Sequence, residues 1–410
     1  MKDKIKNKKN KLNLEKNKFN TIELLLMFIM ALALGLLLGE MIFSNTSTNS
    51  LTKKTNNEIK EIENVYNSLI EEYVGKVNKE ELKEAAIEGM ISHLEDKYSI
   101  YYNKEESKQF EEELKGTYYG IGAEIYRAQN KNITVNKVYK NSPSEKAGLK
   151  KGDEIIKINN KELKDKTTEE VSKLIKSKKS QTITLTIKRE NKTYNKKLTT
   201  EEIEIPSVKT EIIKKENKKI GYIQITIFSS NTDEQFAKAL ENLKKEKITN
   251  LIIDVRDNIG GELDTVVNIA SNFLAKDDIV IQTISNNKTK KIASNKNSKK
   301  DYNIVVLINN GSASGSEVLA ATLNENCNAE LVGDTTYGKG TVQKTKKLAS
   351  GSIIKYTVET WKTGKGKDIN GKGVKPTIKI NQNEKYYETQ KQEDDAQLQK
   401  AIEILQNKNQ

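Results

Sequence analysis

Residues 302–326, "YNIVVLINNGSASGSEVLAATLNEN", decide how the chain is read. An apolar run, Ile304 to Ile308, ends in asparagines and a glycine. Three serines follow within five positions, and an alanine-rich stretch begins at once. The apolar run predicts a buried strand, and the stretch after Gly315 predicts a helix. The turn between them sets a serine at a helix N-terminus, where free N–H groups and the dipole favour negative charge. A second stretch, "NLIIDVRDNIGG" (250–261), likewise ends a buried strand in glycines. Strands and helices alternate on both sides, with a strand at "KIGYIQITIF" and helices at "TDEQFAKALENLKKE" and "LDTVVNIASNFL". That alternation predicts a layered α/β sheet, with chemistry gathered at the carboxyl ends of its strands.

Upstream the pattern differs. Residues 116–200 hold short β-rich segments ("YYGIGAEIY", "ITVNKVYKNSP", "TITLTIKR"), a proline turn and one helix, "TTEEVSKLIKS", which together predict a compact β-rich domain of PDZ size. Before it, Ile59, Ile62, Tyr66, Leu69, Ile70 and Tyr73 fall at helical spacing. A second helical stretch, "KEELKEAAIEGMISHL", completes a helical module over 56–110. The last segment, 383–410, ends in an amphipathic helix. Residues 44–55 read as a polar tether.

The first 20 residues are lysine-rich and precede "TIELLLMFIMALALGLLLGEMIF" (21–43). Leu24 to Gly39 carries no charge, and Ile22 to Phe43 would span about 33 Å as a helix, enough for a hydrocarbon core of about 30 Å. The lysines all lie on the N-terminal side, so the N-terminus is expected in the cytoplasm and the rest of the chain outside. A cleaved signal peptide fits less well. Its apolar region is shorter, and "MIFSNTSTNS" offers no small-residue cleavage site.

The chain has 410 residues and a formal net charge of +13, with 70 Lys and Arg. The basic residues are spread throughout, with no zinc-knuckle spacing or basic recognition helix, so nucleic acid is not an expected partner. A single cysteine, Cys327, excludes an intrachain disulfide and any Cys-based metal site. No cofactor or metal is expected.

A serine nucleophile needs a base, and the one histidine, His93, is more than 200 residues upstream of these serines. A lysine, tyrosine or carboxylate must serve. Lysine qualifies when burial lowers its pKa far below about 10.4. In "YGKGTVQ" (337–343), Lys339 stands between two glycines. The amides of Gly260 and Gly315 are candidates for an oxyanion hole, since glycine permits close backbone approach.

These segments together resemble the carboxyl-terminal processing peptidases, tail-specific serine proteases of the Ser–Lys type within peptidase family S41. The likeness covers nearly all of the chain after residue 44. It rests on "LEDKYSIYY", "YYGIGAEI", "SPSEKAGLKKGDEIIKIN", "IGYIQITIF", "LIIDVRDNIGG", "GSASGSE", "VGDTTYGKGTVQ" and "GKGVKP", in that order. It implies a ClpP/crotonase-like α/β layered core over 205–382, an inserted PDZ domain, the N-terminal helical module and one N-terminal transmembrane helix. It implies Ser314 as nucleophile, Lys339 as general base, and Gln343 as the residue that orients the lysine. The oxyanion amides map to Gly260 and Gly315, while Ser312 shapes the turn and Ser316 caps the helix. Gly120, Ile121 and Gly122 are implied to bind the C-terminal carboxylate of a substrate tail. The implied function is a membrane-anchored endopeptidase acting on proteins with apolar C-terminal tails. Helices at 57–74 and 393–406 resemble those that join subunits in relatives, so a homodimer is an expectation. Ile259 stands where such proteins usually carry proline, and Thr377 where aspartate is common. Two alternatives from other classes are a non-catalytic PDZ scaffold on the outer membrane face and a different acyl-transfer enzyme. The complete Ser–Lys–Gln pattern weighs against the first, and the PDZ segment against the second.

Overall fold

A computed structural model describes residues 49–128, 132–176, 180–216, 218–298 and 302–408. The stretch 21–43, read above as a membrane span, lies outside them. Among the described residues no helix is long and apolar enough to cross a membrane. The chain divides into two compact units, 1–86 and 87–410. The first holds α1 (Asn49–Glu71) and most of α2 (Lys79–Ser92). Along α1, Ile59, Ile62, Val65 and Leu69 form an exposed apolar stripe.

The second unit begins with β1 (Ile100–Tyr102) and α3 (Lys104–Lys115). Asn103 accepts from the amides of Glu105 and Glu106, and Glu106 answers with its own carboxylate in a capping box. The PDZ segment follows as β2 (Thr117–Gly120), β3 (Ala123–Arg127), β4 (Ile133–Val138), α4 (Pro143–Lys146), β5 (Glu154–Ile158), β6 (Lys161–Glu162), α5 (Thr168–Ile175), β7 (Thr182–Arg189), β8 (Lys192–Thr199) and β9 (Glu201–Glu204). Strands β3-β4-β5-β7-β8 form one sheet, with β6 on β5, while β2 pairs with β9. Ile133, Val135, Ile155, Leu185 and Ile187 close its core against Val171 and Ile175 of α5.

The catalytic core runs through β10 (Val208–Lys215), β11 (Lys218–Ile225), α6 (Thr232–Lys245), β12 (Asn250–Asp254), α7 (Leu263–Ala270), β13 (Ile279–Ser285), β14 (Lys288–Ala293), β15 (Asn303–Ile308), α8 (Gly315–Cys327), β16 (Glu330–Gly333), β17 (Thr341–Lys347), β18 (Ile353–Thr363), β19 (Ile378–Lys379), α9 (Glu384–Thr389) and α10 (Ala396–Asn407). Its main sheet has the order β10-β11-β12-β15-β16-β19, and β11 through β19 are parallel. Alternation along each strand feeds two cores. Leu251, Ile253, Ile304, Val306 and Ile308 pack with α6, α7 and α8. Ile252, Val305 and Leu307 face the other way, onto Leu398, Ala401, Ile402 and Leu405 of α10. The apolar face of α10 is therefore used inside its own chain.

A second sheet, β1-β18-β13-β14 with β17 on β18, contributes Ile281 and Trp361 to the larger core. The stretch expected as a helical module over 56–110 has at its C-terminal end a strand and a helix of the second unit. Within that unit Ile100, Tyr101 and Tyr102 pair with Lys355, Ile354 and Ile353 of β18.

Candidate active site

The turn after β15 is pinned from several sides. Ser312 donates its hydroxyl to the Val255 carbonyl at 2.7 Å, and Asn309 Oδ1 accepts from the amides of Asp257 and Gly311. Asn258, fully buried, joins three segments. Its Nδ2 donates to the Ile225 carbonyl, and its own carbonyl accepts from the Ala313 amide and the Ser316 hydroxyl. Ser316 thus donates to a neighbouring loop and does not cap the helix. Ser312 and Ser316 are buried while Ser314 is partly exposed, with φ 52° and ψ −111°. A non-glycine residue in this region is strained by about 1–3 kcal/mol, which the surrounding bonds must offset.

Glu317, which no motif in the sequence singles out as functional, links Ser314 to Lys339. Its carboxylate is fully buried three residues into the turn–helix junction. It accepts from the Ser314 amide (2.8 Å), Thr336 Oγ1 (2.6 Å), the Gly338 amide (2.7 Å) and the Lys339 amide (2.9 Å). One side chain therefore sets the backbone of Ser314 and that of Lys339 in a common frame. A serine followed three residues later by glutamate is a legible helix-start signature.

Lys339 is half-buried, and its carbonyl accepts from Trp361 Nε1 at 2.8 Å. Its Nζ lies 4.8 Å from the ring centre of Tyr98. Burial pulls its pKa down to about 8, with help from the Lys355 ammonium and against Asp96 and Glu317. Ser314 and Lys339 line one cavity of about 380 Å³ together with Gly260, Gly315, Gln343, Lys355 and an apolar wall that includes Val318 and Trp361. Within it, Ser314 Oγ and Lys339 Nζ are not hydrogen-bonded to each other.

Two expected contacts take a different form. Gln343 Nε2 donates to Thr341 Oγ1 (2.9 Å) and Thr357 Oγ1 (3.2 Å), and it is not hydrogen-bonded to Lys339. The Gly260 amide donates to Asn258 Oδ1 at 2.9 Å, so it is already engaged. Glycine is still required there. At φ 104°, a Cβ on Gly260 would sit 2.9 Å from the Gly315 nitrogen and 2.9 Å from Ser314 Cβ. The Gly315 amide has no partner among the described residues. Ile259 is exposed and lines the same cavity.

In the PDZ segment, Gly120, Ile121 and Gly122 are all buried. The Ile121 carbonyl accepts from Ser144, and the Gly122 carbonyl accepts from Tyr139, both at 2.9 Å. The amides of Ile121 and Gly122 have no partner among the described residues. No cluster of His, Cys, Asp and Glu able to hold a metal occurs among them.

A strained serine at the carboxyl end of a parallel sheet shares a cavity with a lysine of lowered pKa, an arrangement compatible with a serine-peptidase type of centre. Family comparison agrees with that class. The model of peptidase family S41 matches residues 219–380, a PDZ domain model matches 117–200, and the model of the activating protease CtpB N-terminal domain matches 40–106. The carboxy-terminal processing protease CtpB of Bacillus subtilis is 42% identical over 324 residues, which is 78% of this chain and 67% of that protein. A probable CtpA-like serine protease of Staphylococcus haemolyticus is 36% identical over 368 residues, 88% of this chain and 73% of that one. The chain belongs to peptidase family S41, the carboxy-terminal processing serine proteases. A putative S41 protease from Bacteroides fragilis shares the fold, with a TM-score of 0.51 at 18% identity over 83% of this chain and 92% of its own.

Proposed function

We propose that this S41 peptidase is a membrane-anchored endopeptidase in which Ser314 attacks the substrate carbonyl and neutral Lys339 takes its proton. The observation that carries the reading is the shared cavity, in which Lys339 is held near pKa 8 and Glu317 orders both backbones. A lysine of pKa about 8 is partly neutral near neutral pH, which general-base work requires. As Ser314 Oγ bonds to the carbonyl carbon, its proton passes to Lys339 Nζ. The ammonium then protonates the leaving amine, and water releases the acyl-enzyme. Ser314 Oγ and Lys339 Nζ come into hydrogen-bond contact when substrate binds, as catalytic contacts loosened in a free enzyme often do.

The Gly315 amide, at the start of α8, is the first oxyanion donor. Gly260 joins it once its bond to Asn258 opens. Gln343 acts on Lys339 through the threonines it holds. The unpartnered amides of Ile121 and Gly122, beside Gly120, favour capture of a C-terminal carboxylate, with the apolar tail added as a strand. Residues 21–43 anchor the chain, with its N-terminus in the cytoplasm and the catalytic unit outside. The exposed stripe of α1 favours a homodimer through that helix, since α10 is already committed.

The test incubates the protein with an unfolded substrate bearing an apolar C-terminus. The parent cleaves it, while Ser314→Ala and Lys339→Ala do not. Tail binding without cleavage by the parent, even after the PDZ segment is deleted, would favour the scaffold alternative.

A further inference from the structure

The turn Asp96–Ser99 just before β1 belongs neither to the dyad nor to the tail reader, yet it is bonded to Thr357 of β18 and through it to Gln343 of β17. Asp96 Oδ1 accepts from the Tyr98 amide at 3.1 Å. Its Oδ2 accepts from the hydroxyls of Ser99 and Thr357, each at 2.6 Å. Ser99 Oγ in turn accepts from the Thr357 amide, and Thr357 Oγ1 accepts from Gln343 Nε2. The carboxylate is thus fixed to β18, and through Thr357 it reaches the residue expected to orient the lysine. Tyr98 lays its ring 4.8 Å from Lys339 Nζ, within cation–π range. Lys97, beside it, donates to Tyr337 Oη at 2.7 Å.

Burial raises the pKa of Asp96, but the bonds from Ser99, Thr357 and Tyr98 together with the Lys339 charge hold it below the ordinary value. It is therefore an anion wherever the enzyme works. The other charged or titratable groups around Lys339 are Glu317 on α8, Lys355 on β18 and Tyr337 on its own loop. Glu113 and Glu262 line the same cavity. Glu317 is already saturated by four donors. Lys355 opposes a second ammonium. Of the two carboxylates whose charge favours protonated Lys339, Asp96 is the one that does not also hold the backbone of the serine turn.

We propose that Asp96 and Tyr98 are the seat of the general base. Asp96 supplies the fixed counter-charge for the ammonium that forms when Ser314 loses its proton, and the Tyr98 ring covers the amine and excludes water. Both are positioning residues. Asp96 keeps its charge throughout, and the proton moves only between Ser314 Oγ, Lys339 Nζ and the leaving amine. The inference rests on Lys339 being the base.

The two residues act in opposite directions on Lys339, and this separates them from mere scaffolding. Removing the anion disfavours the ammonium and lowers the lysine pKa. Removing the ring admits water and relieves the burial, the largest influence on Lys339, so the pKa rises even though the cation–π contact is lost. The experiment measures kcat/KM against pH for the full chain on an unfolded reporter protein with an apolar tail, with thermal melts of every variant. For Asp96→Asn, the acid limb moves down by on the order of 0.5–1 pH unit while the plateau falls about 10- to 100-fold. For Tyr98→Leu, the limb moves up by a similar amount, and Tyr98→Phe leaves it in place. Thr357→Val keeps the charge and cuts the link to Gln343, so it lowers the plateau without moving the limb. A folded Asp96→Asn with an unmoved limb overturns the proposal. Should that variant not fold, an unmoved limb in Tyr98→Leu overturns it instead. Lys339→Ala, run in parallel, separates the two failures. If it is inactive while both limbs stay fixed, only this inference falls. If it cleaves like the parent, the dyad itself is wrong.

Discussion

Replacing Glu317 by glutamine exchanges one carboxylate oxygen for an NH2 group inside a site that offers four donors. Oε2 faces the amides of Ser314 and Lys339, and Oε1 faces the Gly338 amide and the Thr336 hydroxyl. Turning the NH2 toward Ser314 and Lys339 would leave two backbone amides without an acceptor. Turning it toward Thr336 is better, because that hydroxyl can rotate and accept, and only the Gly338 amide is stranded. A buried donor left unpaired costs about 1–3 kcal/mol, so Glu317→Gln should lose that much stability. Glu317→Ala strands three amides and should lose about 3–9 kcal/mol, a large share of the roughly 5–15 kcal/mol that holds a typical domain. Urea unfolding, with midpoint and slope fitted separately, reads the difference. Because the stranded amide adjoins Lys339, kcat should fall at least about tenfold in Glu317→Gln while KM changes little. A glutamine variant with parental stability and parental kcat would refute the claim that this carboxylate frames the site.

Two further outcomes follow from the same geometry. Ser314 sits at φ 52° and ψ −111°, a region open to glycine, so Ser314→Gly should be more stable than Ser314→Ala by about 1 kcal/mol, read by thermal melts of the two inactive proteins. Lys339 has a folded pKa of about 8 against 10.5 when unfolded, so burying its charge costs stability below pH 8, and that cost fades between pH 8 and 10.5 as the folded state sheds its proton first. Lys339→Met should therefore stabilise the protein at pH 7 by about 1–2 kcal/mol after solvent screening, an advantage that shrinks toward pH 10.5 in pH-dependent urea unfolding.

Much of the core was legible because its strands obey simple alternation. Leu251, Ile253, Ile304 and Val306 read as buried strand, and so did the serine turn that follows Ile308. The second sheet was hidden by its lysines. In "KTKKIA" (288–293) and "TVQKTKK" (341–347) a solvent-facing edge masks the strand period, and the pairing to β13 and β18 supplies what local pattern lacks. The pairing of β1 was hidden for a related reason. Ile100 belongs to the core through Lys355, some 255 residues later, and no local signal carries such a pairing. At the site, Ser314 and Lys339 were marked by their glycine-framed turns. Glu317 was within reach as the third residue after the serine. Asp96 and Thr357 meet only across the folded sheet, so nothing in either neighbourhood announces them. Gly260 stands where a Cβ would meet the Gly315 nitrogen and Ser314 Cβ, which the glycine-rich turn already suggests. Its amide was not foreseen to be taken by Asn258, two residues back.

The most direct test of the account is to trap the acyl-enzyme. The parent is mixed with excess unfolded substrate, quenched in acid within one turnover, digested, and mapped by mass spectrometry. The account predicts a substrate-derived acyl group on Ser314, on the peptide that carries residues 309–321, and its absence from Lys339→Ala. An acyl group on another residue, or steady turnover with none accumulating at any quench time or pH, would contradict it.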